Sequence, residues 1–249
     1  FELNLKDIII LKEVVKVARK IVVTSGKGGV GKTTVCANLG VYLSRLGFRV
    51  ALLDVDIGLN NLDVVMGLEK QVVFDITDVV SGKCRVRQAL VQDFNYPSLY
   101  LLPSSHSYAS SKITGEHIKN ITDIIDHSFD YILLDCPAGV EAGFHRAVYP
   151  ANEAIIVVTP HLSSLRDADK VLSILSSYHI ESKYLVINRM RGDLLLSGDM
   201  LNIESIVKAM NIPLIGVIPE DDSVGKMSTD GRILTDCESA RAFTLLSEN

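Results

Sequence analysis

SGKGGVGKTT, Ser25–Thr34, is the stretch on which the reading of this 249-residue chain turns. From Gly26 it satisfies G-x-x-x-x-G-K-[ST], with Gly31, Lys32 and Thr33 at the remaining fixed positions. Glycines let successive backbone N–H groups turn inward around phosphate oxygens. A helix that follows aims its positive end at the same anion. The candidate nucleotide-binding residues are therefore Gly26, Lys27, Gly28, Gly29, Val30, Gly31, Lys32, Thr33 and Thr34. A lysine at the Lys32 position reaches the β- and γ-phosphates, and the Thr33 hydroxyl is placed to ligate Mg2+. A chain of this length carries the pattern by accident roughly once in a hundred, and the context lowers that further. Ile21–Thr24, IVVT, reads as a buried strand running straight into the loop. Thr33–Leu46 has helical spacing at Val35, Leu39, Leu43 and Leu46, with Gly47 just past its end. Strand, loop and helix predict a nucleoside triphosphate site.

Downstream, Arg49–Asp56 reads as a second buried strand closing on Asp54 and Asp56. We expect these two carboxylates to point opposite ways, so that only one faces the phosphates. Asp56 is expected to position the attacking water, and Asp54 to serve the metal's outer shell or support the loop. Gly67–Val91 mixes short helical patterns with polar breaks, Ser98–Pro103 is a strand, and His106–Thr114 is a polar surface loop. Helical spacing resumes over His117–Ile125. Phe129–Gly143 then gives an apolar strand ending at Asp135, the pattern of a Walker B strand whose aspartate holds Mg2+. Pro137-Ala138-Gly139 makes a tight turn able to sense a γ-phosphate. Ala154–Thr159 is a strand, Ser163 or Ser164 is expected to cap a helix running to Leu175, and Tyr184–Met190 delivers Asn188 to a strand's carboxyl end. Asn offers the donor-plus-acceptor edge that adenine needs. A helix over Ile203–Met210, the strand Leu214–Asp221 and a helix from about Ser239 complete the chain. Strands alternating with helices predict an α/β, three-layer P-loop NTPase: a mainly parallel β-sheet flanked by helices on both faces.

A net charge of −5 and a pI near 5.7 argue against a dedicated nucleic-acid binder, whose footprint is usually basic. Cys36, Cys84, Cys136 and Cys237 are widely spaced, with no C-x-x-C, and read as core or surface thiols in a reducing compartment. No apolar run approaches the ~18–20 residues of a membrane span, and no signal-peptide pattern is present. These features predict a cytoplasmic chain. Residues 1–20 precede the ATPase domain, which we place at 21–249 as one unit. Residues 1–16 are expected to be translated leader: Lys12-Glu13-Val14 can be encoded AAG GAG GTG, a ribosome-binding sequence upstream of a GTG start at Val17.

With Lys27 after its first glycine, the loop resembles the deviant Walker A motif of the ParA/MinD family of P-loop ATPases. From Val17 onward, DVDIGLNNLDVVMGLE, DVVSGKCRVRQAL, LYLLPSS, LLDCPAGVEAG, VINRM and IPEDDSV resemble its septum-site-determining branch. That resemblance implies ATP sandwiched in a homodimer, with Lys27 acting across the interface, Lys32 and Asp56 completing the catalytic set, and Asp135 serving the magnesium. It implies adenine held by Asn188 and Arg189 with Pro219 and Glu220. It further implies slow, partner-stimulated hydrolysis, recruitment of the division inhibitor MinC, release by a stimulator such as MinE, and peripheral attachment to the inner face of the cell membrane in the ATP state. Two departures stand out. The family commonly carries a basic residue where this chain has Asn60, and RAFTLLSEN ends where the family's basic amphipathic membrane helix is expected to begin. The rival readings are a flagellar-number regulator of the same family, a ParA-type DNA-partition ATPase (which usually has Pro where Ile57 stands), an iron–sulfur scaffold, and a nucleotide-binding scaffold without turnover.

Overall fold

Runs such as Ile21–Thr24 and Ala154–Val158 carry apolar side chains at consecutive rather than alternate positions, which is how a strand covered on both faces reads. The computed structural model describes residues 17–59, 61–105, 113–223 and 238–248. The expectations on residues 1–16, Asn60, Cys237 and most of the 106–114 loop lie outside them. The strands are β1 (Arg19–Thr24), β2 (Val50–Asp54), β3 (Val91–Gln92), β4 (Leu99–Leu102), β5 (Tyr131–Asp135), β6 (Glu153–Val158), β7 (Ser182–Met190) and β8 (Leu214–Pro219). They form one eight-stranded sheet in the order β3-β4-β2-β5-β1-β6-β7-β8. Every pairing is parallel except β3 with β4.

The helices divide between the two faces. On one lie α1 (Lys32–Arg45), α2 (Leu62–Met66) and, late in the chain, α10 (Glu238–Glu248); Val35, Leu39, Leu62 and Phe243 pack there against Leu52, Leu133 and Ile155. Against the other pack α3 (Ile76–Val80), α4 (Val86–Ala89), α5 (Gly115–Ile125), α6 (Ala142–Val148), α7 (Leu162–Leu175) and α9 (Ile203–Met210), with Ile118, Phe144, Ala168 and Ile206 against Leu53, Ile132 and Ile156. A short α8 (Gly192–Ser197) follows β7. The expected three-layer α/β architecture is what the chain adopts. β1 sits between β5 and β6, and the chain winds outward from it in both directions, so the carboxyl end of β1 is the switch point where ligands of open α/β sheets bind.

Four local readings are corrected. β2 ends at Asp54, not Asp56, and β8 ends at Pro219, not Asp221. Neither Ser163 nor Ser164 caps α7: the N-cap residue is His161, and the Ser164 hydroxyl instead accepts a hydrogen bond from the Thr159 N–H at 3.0 Å, tying the first turn to the end of β6. Leu46 closes α1 as its C-cap and is exposed rather than part of the apolar stripe.

Gly40, midway along α1, lets the helix lie close on the sheet. A Cβ there would sit 2.6 Å from Leu52 Cδ2 and 3.3 Å from Leu99 Cδ1. Gly40→Val is expected to destabilise the fold by about 1–3 kcal/mol through overpacking, seen as a lower urea midpoint with an unchanged slope. An unchanged midpoint would mean that α1 does not need this close approach.

Candidate active site

Gly31 is the N-cap residue of α1, with φ of 94° and no side chain capping the helix. The first N–H groups of α1 therefore lack an internal partner and point at whatever lies in the loop. The loop is clamped from two sides. A Cβ on Gly26 would fall 2.2 Å from the carbonyl carbon of Asp167 on α7, and a Cβ on Gly31 2.4 Å from Asn188 Nδ2. Asn188 Nδ2 donates to the Val30 carbonyl at 2.7 Å, while its Oδ1 accepts from the Arg189 N–H at 2.9 Å. The Ser25 hydroxyl donates to the Lys27 carbonyl at 2.7 Å. Only glycine fits at positions 26 and 31, because backbone or a fixed amide occupies the space a side chain would take.

Inside this cradle Lys32 is buried, at 8% exposure, whereas Lys27 stands exposed on the outer rim. Parallel pairing of β2 and β5 sets Asp54 beside Asp135. Asp135 is 2% exposed and lies by the Thr33 side chain, and its Oδ1 has no hydrogen-bond partner among the described residues. Burial, and then the neighbouring Asp54 charge, raise the Asp135 carboxyl well above the usual carboxylate range, against the pull of Thr33 and Lys32. Burial raises Asp54 too, although its two oxygens accept from the N–H groups of Asp56 (3.0 Å), Asn61 (3.2 Å) and Leu62 (3.1 Å). Asp56 is half-buried and also raised by desolvation, opposed by the charges of Lys32 and Arg146.

Both Asp54 and Asp56 thus bear on one charge cluster, and the expectation that they point opposite ways along one strand does not hold. Residues two apart on a strand share a face, and β2 ends at Asp54, which leaves Asp56 free to turn in from the loop. Asp54 spends its oxygens on that loop, the supporting role foreseen for it. Lys32 and Arg146 oppose the three acids only in part, so a further cation would be accommodated here. A buried carboxylate oxygen without a partner next to a threonine hydroxyl is a donor set of hard oxygens that fits magnesium. Thr33 and Asp135 would hold it, and Asp54 would act from the outer shell.

Alongside the cradle, Gly31, Thr34, Asn188, Arg189, Pro219 and Glu220 line a cavity of about 400 Å3. The structure brings the predicted adenine residues together and joins them to the phosphate loop at Gly31 and Thr34. Arg189 takes a left-handed backbone, φ 59°, at the cavity wall, a conformation uncommon for a residue with a side chain. Asn188 turns out to brace the loop as well as line the cavity. The Pro137–Gly139 turn lies against the loop: Ala138 Cβ is 3.7 Å from where a Gly28 Cβ would stand. Sequence reasoning missed α6 and its Arg146, whose charge faces Asp56. The short Ala142–Val148 pattern carries little helical periodicity to find it by.

Residues 21–234 match the family model described as the CobQ/CobB/MinD/ParA nucleotide binding domain. The septum site-determining protein MinD of Bacillus subtilis (strain 168) is 48% identical over 213 residues, covering 85% of this chain and 80% of that protein. The MinC:MinD cell division protein complex of Aquifex aeolicus superposes with a TM-score of 0.86 at 41% identity, covering 93% of this chain and 94% of that one. MinD complexed with Mg-ADP from Pyrococcus horikoshii OT3 gives 0.83 at 31% identity, covering 93% and 95%.

The raised acids have a consequence for pH. In a group whose folded pKa is raised, the folded state holds more protons than the unfolded one, so stability falls as pH climbs from about 4 through neutrality. Asp135→Asn removes one such proton and is expected to stabilise the nucleotide-free protein more at pH of about 8.5 than at about 5.5, by urea midpoints. Equal effects at both pH values would contradict the raised Asp135.

Proposed function

Because the chain belongs to the CobQ/CobB/MinD/ParA nucleotide-binding family, on its MinD branch, we propose that it is a dimerising ATPase switch that governs where the division septum forms. The observation that carries this reading is the Gly31–Thr33 phosphate cradle set against a buried Asp135 oxygen that has no partner among the described residues. The flagellar, DNA-partition and iron–sulfur readings are not favoured by these relatives.

The residues divide the work. The N–H groups of Gly28–Thr34 and the open end of α1 bind the triphosphate, and Lys32 neutralises its outer phosphates. Asn188, Arg189, Pro219 and Glu220 receive the adenine in the cavity beside the loop. Magnesium, when bound, neutralises charge on the β- and γ-phosphate oxygens. Asp56 orients a water for in-line attack on the γ-phosphorus; the bond to the β–γ bridging oxygen breaks, and ADP and phosphate leave. Lys27, exposed at the rim, is free to reach a second subunit's nucleotide, so two chains closing face to face complete each other's sites. Hydrolysis would then separate them. The MinC:MinD cell division protein complex of Aquifex aeolicus supports a MinC protein as partner; that the ATP form recruits it, as a division inhibitor, is part of the same proposal. Stimulation by a MinE-type protein and peripheral attachment to the inner membrane surface extend the same reading. Among the described residues no helix is long and apolar enough to cross a membrane.

Asp56→Ala with ATP is expected to give a lasting dimer by light scattering, with turnover reduced at least about a hundredfold, the usual size of a general acid–base contribution. Lys27→Ala is expected to stay monomeric. A monomer for Asp56→Ala, or turnover equal to wild type, would contradict the assignment.

A further inference from the structure

The LYLLPSS run ends in Pro103, Ser104 and Ser105, to which the proposed chemistry gives no task. β4 stops at Leu102, and Pro103, lacking an N–H, cannot extend its ladder. Register sets Leu102 beside Leu53 of β2, so two segments leave neighbouring strands side by side, residues 103–105 from β4 and 55–59 from β2. These segments are tied to each other. The Ser104 hydroxyl donates to the Asp56 carbonyl at 3.1 Å, and the Gly58 N–H donates to the Ser105 carbonyl at 3.0 Å. Ser104 is 1% exposed. A hydroxyl buried so completely costs free energy unless it is hydrogen-bonded, and the Asp56 carbonyl is the acceptor that offsets the cost. The segment is anchored on its other side as well, where the Pro103 carbonyl accepts from the N–H of Ile76, the first residue of α3, at 3.0 Å.

On the reading of this site as an ATPase, we propose that Ser104 is a positioning residue of the hydrolytic centre: from the end of β4, its buried hydroxyl holds the backbone that carries Asp56. A side chain leaves its Cα in a direction set by the two rigid peptide planes on either side. Both planes are held at Asp56. On the amino side its N–H donates to Asp54 Oδ1 at 3.0 Å. On the carboxyl side its carbonyl accepts from Ser104, and also from the Leu59 N–H at 3.3 Å. Asp54 and Leu59 are near neighbours of Asp56 in the chain, whereas Ser104 reaches it across 48 positions and refers it to a second strand. Gly58, with φ of 103°, makes the left-handed turn after which its own N–H meets Ser105. The loop is thereby strapped to β4 at Asp56 and again two residues later. Such bracing matters for in-line attack, where a displacement of about 1 Å can cost as much as a hundredfold in rate.

The test is steady-state Mg-ATP turnover of Ser104→Ala, Ser104→Thr and Ser104→Val, with Ser104→Ala repeated in an Asp56→Asn background. Ser104→Ala should lower kcat roughly three- to tenfold, the worth of one hydrogen bond. KM for ATP and the affinity for ADP should stay within about twofold, because the bond serves attack rather than binding. Thr and Val have nearly the same shape and differ in the hydroxyl, so Ser104→Thr should turn over faster than Ser104→Val by a similar factor. In the Asp56→Asn background, Ser104→Ala should cost nothing further. An unchanged kcat for Ser104→Ala, even with a lower thermal midpoint, would overturn the proposal, since the hydroxyl would then support the fold alone. So would a loss that persists in Asp56→Asn, or equal turnover of the Thr and Val variants. If those bulkier variants do not fold, Ser104→Ala and its cycle with Asp56→Asn decide the matter. Wild-type turnover in Asp56→Asn itself would instead sink the role given to Asp56, a result distinct from failure of Ser104.

Discussion

Burying a carboxylate costs several kcal/mol unless hydrogen bonds and opposite charge repay it. Asp135 is buried at the carboxyl end of β5, near Thr33, with its Oδ1 unpartnered among the described residues. Its neighbours worsen the problem: Asp54 stands beside it in register on β2, and Asp56 approaches from the loop beyond. Lys32 is the buried cation that opposes this cluster. The half-buried Arg146 also bears on Asp56, yet burial still raises all three acids, and a bound cation would favour their ionised forms. A magnesium ion brought in with phosphates resolves both difficulties, satisfying the unpartnered oxygen and offsetting the acids. The cost of burying these acids and the site's fitness for a metal-bound nucleotide thus have one physical origin.

The fold exists around this cluster in a specific sense. Parallel pairing of β1 with β5, and of β5 with β2, brings the P-loop, Asp135 and Asp54 to one edge of the sheet, although they are scattered over more than a hundred residues of chain. The Asn188 amide, arriving on β7, then fixes the loop by its bond to the Val30 carbonyl, and Asp167 on α7 closes over Gly26. The cradle is pre-formed by protein contacts, so binding need not pay to order it. Beyond the cradle lie the Asp56 loop and the Pro137–Gly139 turn, at the carboxyl ends of β2 and β5, where a γ-phosphate would be met.

How far the sequence could be read follows from where each signal resides. The phosphate loop, its flanking strand and helix, and Asp135 at a strand's end were legible because each is a local pattern dictated by backbone geometry. The α/β layering followed from apolar runs alternating with helical periods. Ser164 misled because its hydroxyl serves Thr159 rather than its own helix, a choice made by tertiary packing. Asp54 and Asp56 misled because residues two apart on a strand share a face rather than oppose each other, and because the strand stops at the first of them, so that its period says nothing of Asp56. Asn188 was expected at the nucleotide for its amide edge; its bond to Val30, across 158 positions of sequence, has no local signature. Arg146 and the short α6 and α8 escaped for the same reason: a half-buried charge acquires meaning only from the residues folded around it.

The most direct test of this account is equilibrium binding of ATP, with and without Mg2+, to the wild-type chain and to Asp135→Asn. The account predicts that Mg2+ strengthens binding to the wild type by about tenfold or more, roughly 1.4 kcal/mol, and that this gain largely disappears in Asp135→Asn while metal-free binding is retained. An equal dependence on Mg2+ in both proteins would contradict the claim that the unpartnered Asp135 oxygen is what the metal completes.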